Sequence, residues 1–193
     1  KLNQLNNALA TAENVYADAQ PADDEIQAWI RRRRSGSAAP TLGNWHQIGP
    51  FQGDGVDQTF EKKFGPEKEK QIDLARKYGK LTWKEQADWQ DGSVINFAYA
   101  GAGDTTYLYR KIQASEPTEL DLSLGSDDTI TVWINRKQIL KNKAARGAAP
   151  DQEKLSVALV AGENHLLIKV CNNSGPSGFY FKAGDDTLPK ELQ

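Results

Sequence analysis

The run Leu120-Asp-Leu-Ser-Leu-Gly-Ser-Asp-Asp128, followed after Thr129 by Ile130-Thr-Val-Trp-Ile-Asn135, decides how this chain is read. Apolar side chains fall on every second residue, at Leu120, Leu122 and Leu124 and then at Ile130, Val132 and Ile134. That is the period of a strand with one buried face. The same alternation returns at Leu155, Val157 and Leu159, and at Leu166, Ile168 and Val170, so these residues form the expected core.

Working outward, β-rich runs bounded by polar turns predict strands over 45–48, 81–89, 93–99, 105–113, 118–124, 129–135, 153–160, 165–171 and 178–182. Short strands at this spacing imply a mainly β protein, a jelly-roll-like antiparallel β-sandwich. Ahead of it, Leu2, Leu5, Leu9, Ala12, Tyr16 and Ala19 recur in steps of three and four, the seam of an amphipathic helix or helical hairpin. Pro21 favours two helices or a kinked one. Asp23, Asp24 and Glu25 suit the positive end of the second helix, and Arg31 to Arg34 its negative end. Ser35 to Asn44 has linker composition. The expected organisation is a helical segment over 1–36, a linker over 37–44, a sandwich over 45–184 and a tail over 185–193.

A formal net charge of −2 supplies no field to hold a nucleic-acid backbone or an anionic membrane surface. The lone Cys171 excludes an intramolecular disulfide, and with only two histidines a Cys/His zinc site is not expected. No run reaches the length of a membrane span. Starting at Lys1 and lacking methionine, the chain reads as a processed chain or a piece of a longer one.

Candidate sites lie on turns and on one strand face. Asp127 and Asp128 at a strand end can offer oxygens to a hard cation such as calcium or accept sugar hydroxyls; equally, turn aspartates bond local backbone N–H groups. Trp133 faces away from Ile130, Val132 and Ile134, and Tyr107 and Tyr109 away from Leu108 and Ile112. If open, that second face offers rings for stacking on a pyranose, with Arg110 and Asn135 as polar neighbours; if covered, the same rings are core. The loop from Lys141 to Gln152 carries Arg146 and Asp151, which can pair with each other or with a ligand. Asn172 to Gly178 is a polar turn before Gly178-Phe-Tyr-Phe181, and its amides suit either sugar hydroxyls or the turn itself.

Signs of catalysis are missing. There is no Gly-x-Ser-x-Gly elbow, no phosphate-cradling glycine loop and no His-Glu-x-x-His. Adjacent aspartates on one turn do not straddle a glycosidic bond.

Leu124-Gly-Ser-Asp-Asp128, Val132-Trp-Ile-Asn135, Arg146, Pro150-Asp-Gln152, Gly162-Glu-Asn164 with Leu166-Leu-Ile-Lys-Val170, and Gly178-Phe-Tyr-Phe181 carry a resemblance. Over roughly residues 45–181 the chain resembles galactose-binding-like sandwich domains of large cytochrome c-associated surface proteins of planctomycete-type bacteria. The acidic pair also resembles the two aspartates that hold calcium in protective-antigen-type lectin domains. Two positions depart from the pattern, Thr129 and Arg136, where glycine is expected. If the Asn135-Arg136 turn keeps the type I′ geometry of an Asn-Gly hairpin, Arg136 takes a positive φ.

The expectation is therefore a non-catalytic carbohydrate-binding module of a larger secreted or surface protein, located extracellularly, in the periplasm or at the cell surface. Its ligand is a polysaccharide or glycan, held by Asp128, Trp133, Asn135, Arg146 and Tyr180, with calcium at Asp127 and Asp128. The alternative is a structural domain that docks neighbouring domains of its parent protein.

Overall fold

The alternating runs form strands, and their faces sort them into two packed antiparallel sheets. The computed structural model describes residues 38–99 and 101–184, of which Pro40–Gly184 forms one compact unit. The helical segment expected over 1–36 and the tail over 185–193 lie outside the described residues, whereas the expected linker is described from residue 38 and carries the short strand at Thr41–Leu42.

The larger sheet has the order β10 (Lys137–Asn142), β9 (Thr129–Ile134), β12 (Gly162–Cys171), β7 (Thr105–Ala114), β2 (Trp45–Phe51) and β5 (Lys84–Gln86). A short β1 (Thr41–Leu42) also pairs with β7. The smaller sheet runs β11 (Glu153–Leu159), β8 (Thr118–Asp127), β13 (Gly178–Ala183) and β6 (Val94–Asn96). A separate hairpin joins β3 (Lys77–Tyr78) to β4 (Leu81–Thr82).

Between the two sheets lies the expected core. Ile130, Val132, Ile134, Leu166, Ile168 and Val170 from the large sheet meet Leu120, Leu122, Leu124, Val157 and Leu159 from the small one. Trp45 packs edge-on against Phe179 and Phe181, with ring centroids 5.2 and 5.0 Å apart. Burying each such side chain contributes roughly 1.5–3 kcal/mol.

The outer face of the large sheet carries a second cluster, Ile48, Phe51, Tyr107 and Tyr109, packed under Phe64 and Trp83. Its cover is the segment with two short helices, α1 (Val56–Glu61) and α2 (Gly65–Lys68). Helices this short do not stand alone in water. Buried Thr59, Phe60 and Pro66 hold them to the sheet.

Three expectations change here. The strand foreseen over 81–89 is divided into β4 and β5, with Trp83 between them. Strand β10 was not foreseen, because a register shift between Gln138 and Leu140 puts Ile139 and Leu140 side by side and breaks the period of two. Arg110 shares parity with Leu108 and Ile112, so it lies on the inner side and is not a neighbour of Tyr107 and Tyr109. It is 5% exposed, donates to both Asp91 carboxylate oxygens at 2.9 and 2.7 Å and sits 4.5 Å over the Trp45 ring.

Asp127 and Asp128 are not a hairpin turn. Strand β8 ends at Asp127 in one sheet and β9 begins at Thr129 in the other, so the pair forms the corner where the chain crosses between layers. The Asp127-Asp128 peptide bond is cis.

Candidate functional site

Strand register assembles a row of side chains on the outer face of the large sheet. Trp133 is opposite Leu167, and Leu167 is opposite Tyr109. His165 stands two residues before Leu167 on the same face and borders the same space. The α2 segment closes the other side with Pro66, Glu67 and Ile72, leaving a cavity of about 310 Å³. Trp133 and His165 are half-buried at its wall, whereas Asn135 and Arg136 are exposed at its mouth.

One buried cation holds the cover in place. Lys169 is 1% exposed, and its ammonium meets Glu67 Oε1 at 2.9 Å and donates to the carbonyls of Phe60 at 3.1 Å and Lys62 at 2.7 Å. Those carbonyls end helix α1, where backbone acceptors lack intrahelical partners and a cation suits the negative end of the dipole. Three donors thus find three acceptors. The Tyr107 hydroxyl donates to the same Glu67 Oε1, and burial, followed by the Glu67 charge, raises the phenol's pKa.

At the cavity wall the Tyr109 hydroxyl lies 2.7 Å from His165 Nδ1, with the two rings stacked. Burial, then the Glu163 charge, pushes the phenol up to about 12. His165 Nε2 is 3.5 Å from Glu163 Oε1, while Glu163 Oε2 pairs with Lys111 at 2.9 Å. The Lys111 hydrogen bond holds Glu163 below the ordinary carboxylate value.

The two-residue turn at the mouth takes the conformation that puts Arg136 at a positive φ. Ile134 pairs with Lys137, with φ of 48° at Asn135 and 70° at Arg136. Asparagine tolerates this region, but a left-handed backbone costs an arginine roughly 1–2 kcal/mol. Three hydrogen bonds anchor the turn. Asn135 Oδ1 accepts the His165 N–H at 2.8 Å and its Nδ2 donates to Asn164 Oδ1 at 2.7 Å, while Arg136 Nη1 donates to the Lys70 carbonyl at 3.2 Å.

The sheet corner gathers a different set of the expected residues. Asp128, 6% exposed, accepts the Arg146 N–H at Oδ1 (2.8 Å) and the Asn173 N–H at Oδ2 (2.6 Å). Its carbonyl accepts the Ser126 hydroxyl at 2.7 Å. Asp128 therefore binds two loops to the corner through its carboxylate. Arg146 pairs with Glu153 at 2.8 Å rather than with Asp151, whose carboxylate accepts the Ser123 hydroxyl at 2.7 Å. Close approach of this loop explains Gly125, where a Cβ would stand 2.0 Å from the Ala149 carbonyl oxygen. Burial, and then the neighbouring Asp128 charge, raises the Asp127 pKa.

The donor chemistry at the corner is oxygen-rich. The Asp127 carboxylate has no hydrogen-bond or ion-pair partner among the described residues, and Asn172 Oδ1 is buried without a hydrogen bond. Each Asp128 oxygen retains a second lone pair. No group of three or more His, Cys, Asp or Glu side chains able to hold a metal occurs among the described residues, so amide and carbonyl oxygens would have to complete any cation's shell.

The expected site residues thus separate. Trp133 and Asn135 border the cavity, Asp127, Asp128 and Arg146 belong to the corner, and Tyr180 falls in neither. Tyr180 pairs with Gly125 and Val94 in the small sheet and is 6% exposed, too enclosed to offer its ring to a ligand. The second aromatic face is divided, with Tyr107 and Tyr109 covered and Trp133 left at the opening. Asn172, foreseen as a ligand amide or a turn residue, spends Nδ2 on the carbonyls of Gly101 and Gly175 at 3.2 and 3.1 Å. His165, Arg136, Lys169 and Glu67 were not foreseen as parts of a site. His165 and Lys169 share the outward parity of β12 with Leu167, and this was the one signal available for them.

No family model matches this sequence, and no curated protein matches it. Among solved structures, it is similar to an anti-sigma factor domain-containing protein from Clostridium clariflavum (13% identity, TM-score 0.45, 76% of this chain and 43% of that one). It is also similar to the epithelial adhesin 9 A domain from Candida glabrata, solved with Galβ1-3GlcNAc (11% identity, TM-score 0.45, 78% and 85%). A third likeness is to the GH31 α-xylosidase from Xanthomonas citri (12% identity, TM-score 0.37, 59% and 13%). The chain spans less than half of the first of these proteins and about an eighth of the third. At such identities the chemistry of this chain has to be argued from its own residues.

Proposed function

We propose that this domain is a non-catalytic carbohydrate-binding module, an accessory part of a larger secreted or surface protein, whose sugar site is the cavity between the large sheet and the α2 segment. The observation that carries the reading is Trp133, a half-buried ring on β9, a strand paired on both sides, at the wall of a 310 Å³ space. A cavity of that size is at the small end of ligand sites and suits a single sugar unit. Trp133, Leu167 and Ile72 supply apolar contact for a pyranose face, and Gln71, Asn135 and His165 supply hydroxyl partners.

We place the expected calcium at the corner, with Asp127 and the free lone pairs of Asp128 as ligands, where it would stiffen the loops around Arg146 and Asn173 and leave the cavity untouched. A thermal melt with calcium and with chelator tests this, and identical midpoints would reject it.

The sugar reading is tested by affinity electrophoresis against a panel of neutral and acidic polysaccharides, with Trp133→Ala as control. Retardation that falls about tenfold in the variant is expected. A folded domain that no polysaccharide retards would sink the reading and favour the alternative, a structural domain that docks on neighbouring parts of its parent.

A further inference from the structure

Resting on that sugar reading, we propose that the ligand carries an anionic substituent, a carboxylate or a sulfate, and that Arg136 with Lys70 selects it. The case begins with the charges around the cavity. Two carboxylates line it, and both are spent: Glu67 on Lys169 at 2.9 Å and Glu69 on Arg76 at 2.8 Å. Their side chains are only 8% and 6% exposed, and each faces its cation. Glu163, the acid beside His165, is engaged by Lys111.

Two cations line the same space, and both are exposed. Among the described residues neither Arg136 nor Lys70 makes an ion pair with a carboxylate. The mouth is therefore electropositive in a chain whose formal net charge is −2. Diffuse basicity is no explanation, because the imbalance arises from how partners are assigned within this one cavity.

Arg136 is also held ready. Its Nη1 is fixed by the Lys70 carbonyl, which leaves Nε and Nη2 as the parallel donors that fit a carboxylate or sulfate edge. The residue occupies a left-handed turn position that glycine would take without strain. Strain kept at the edge of a cavity, by a side chain pointed at its mouth, is the pattern of a residue retained for what it contacts.

The test uses matched polymers in affinity electrophoresis: polygalacturonate against its methyl ester, and dextran sulfate against dextran. Wild-type protein is expected to prefer the charged member of at least one pair, and the pair identifies carboxylate or sulfate as the group. Arg136→Gly, which also relieves the turn and should melt no lower than the parent, is expected to lose roughly ten- to a hundredfold in affinity for the charged polymer while binding the neutral one unchanged. Arg136→Lys should fall between. Trp133→Ala should lose both polymers.

If the charged and neutral members bind equally in a Trp133-dependent manner, the charge inference fails and the sugar reading stands. Charged-polymer binding that none of the three variants changes is unspecific attraction and overturns the inference. If all four polymers fail while a neutral member of the wider panel is retarded through Trp133, the charge inference alone is overturned; if the whole panel fails, both are.

Discussion

Replacing Lys169 with methionine removes the clamp that seats the cover over the sheet while keeping the length of the side chain. The ammonium is 1% exposed and has three acceptors, Glu67 Oε1 and the carbonyls of Phe60 and Lys62. It also lies 5.7 Å from the Phe64 ring centroid and 5.9 Å from that of Tyr107. Lys169→Met leaves Glu67 as a buried charge with only the Tyr107 hydroxyl to satisfy it, and strips two helix-end carbonyls of their donor. Breaking a buried pair by removing one member costs about 3–5 kcal/mol. Against a total stability of about 5–15 kcal/mol, that is a large share. In urea the midpoint should fall by roughly 1–3 M, with no change in slope. Lys169→Met combined with Glu67→Gln removes the stranded charge and keeps an acceptor for Tyr107, so it should regain about half the loss. Equilibrium unfolding followed by tryptophan fluorescence and circular dichroism reads both variants. A single variant within about 0.5 kcal/mol of the parent, or a double variant less stable than the single, would refute the assignment of the clamp. Hydrogen exchange adds a spatial check, since amides over 56–72 should lose protection before those of β7 and β12.

Two further predictions concern the corner and the buried phenols. Asp128→Ala leaves the Arg146 and Asn173 N–H groups without an acceptor, and at about 1–3 kcal/mol for each stranded group it should destabilise by about 2–6 kcal/mol in a urea titration. Asp127→Ala, lacking comparable bonds in calcium-free buffer, should fall within about 1 kcal/mol of the parent; equal losses for the two would contradict the division of roles. Burial is the leading cause of the raised pKa values of Tyr78, Tyr99, Tyr107 and Tyr109, with Tyr109 at about 12. A phenol that holds its proton more tightly when folded leaves stability intact below the unfolded value near 10, and erodes it as pH rises from there through 12 and beyond. Tyrosinate absorbance and circular dichroism against pH should therefore change together in one cooperative alkaline step. Phenols ionising singly near pH ~10 in an intact fold would count against their burial.

Much of the architecture was legible because strand alternation is a local property. Leu120, Leu122 and Leu124 declare their common face without any neighbour, and so do Leu166, Ile168 and Val170. The mouth turn was only half legible: a positive φ at Arg136 follows if the turn is of type I′, but with β10 hidden the sequence did not show the second strand that makes Asn135-Arg136 a hairpin turn. Arg110 shows how easily parity is misassigned when an aromatic pattern attracts attention, and β10 shows how a single bulge hides a strand.

By itself, the sequence determined which residues face the core, that the chain folds as an antiparallel sandwich, and that Trp133 points away from that core. Only the tertiary structure decided whether Trp133 meets solvent, what shares its cavity, and which charges there are already spent. The physical reason is range. Alternation is written within a few residues, whereas the Lys169 clamp joins groups 107 residues apart and the row Trp133, Leu167 and Tyr109 exists only once three strands are in register. Asp128 makes the same point, because its carboxylate is taken by backbone N–H groups whose positions no sequence spacing reveals.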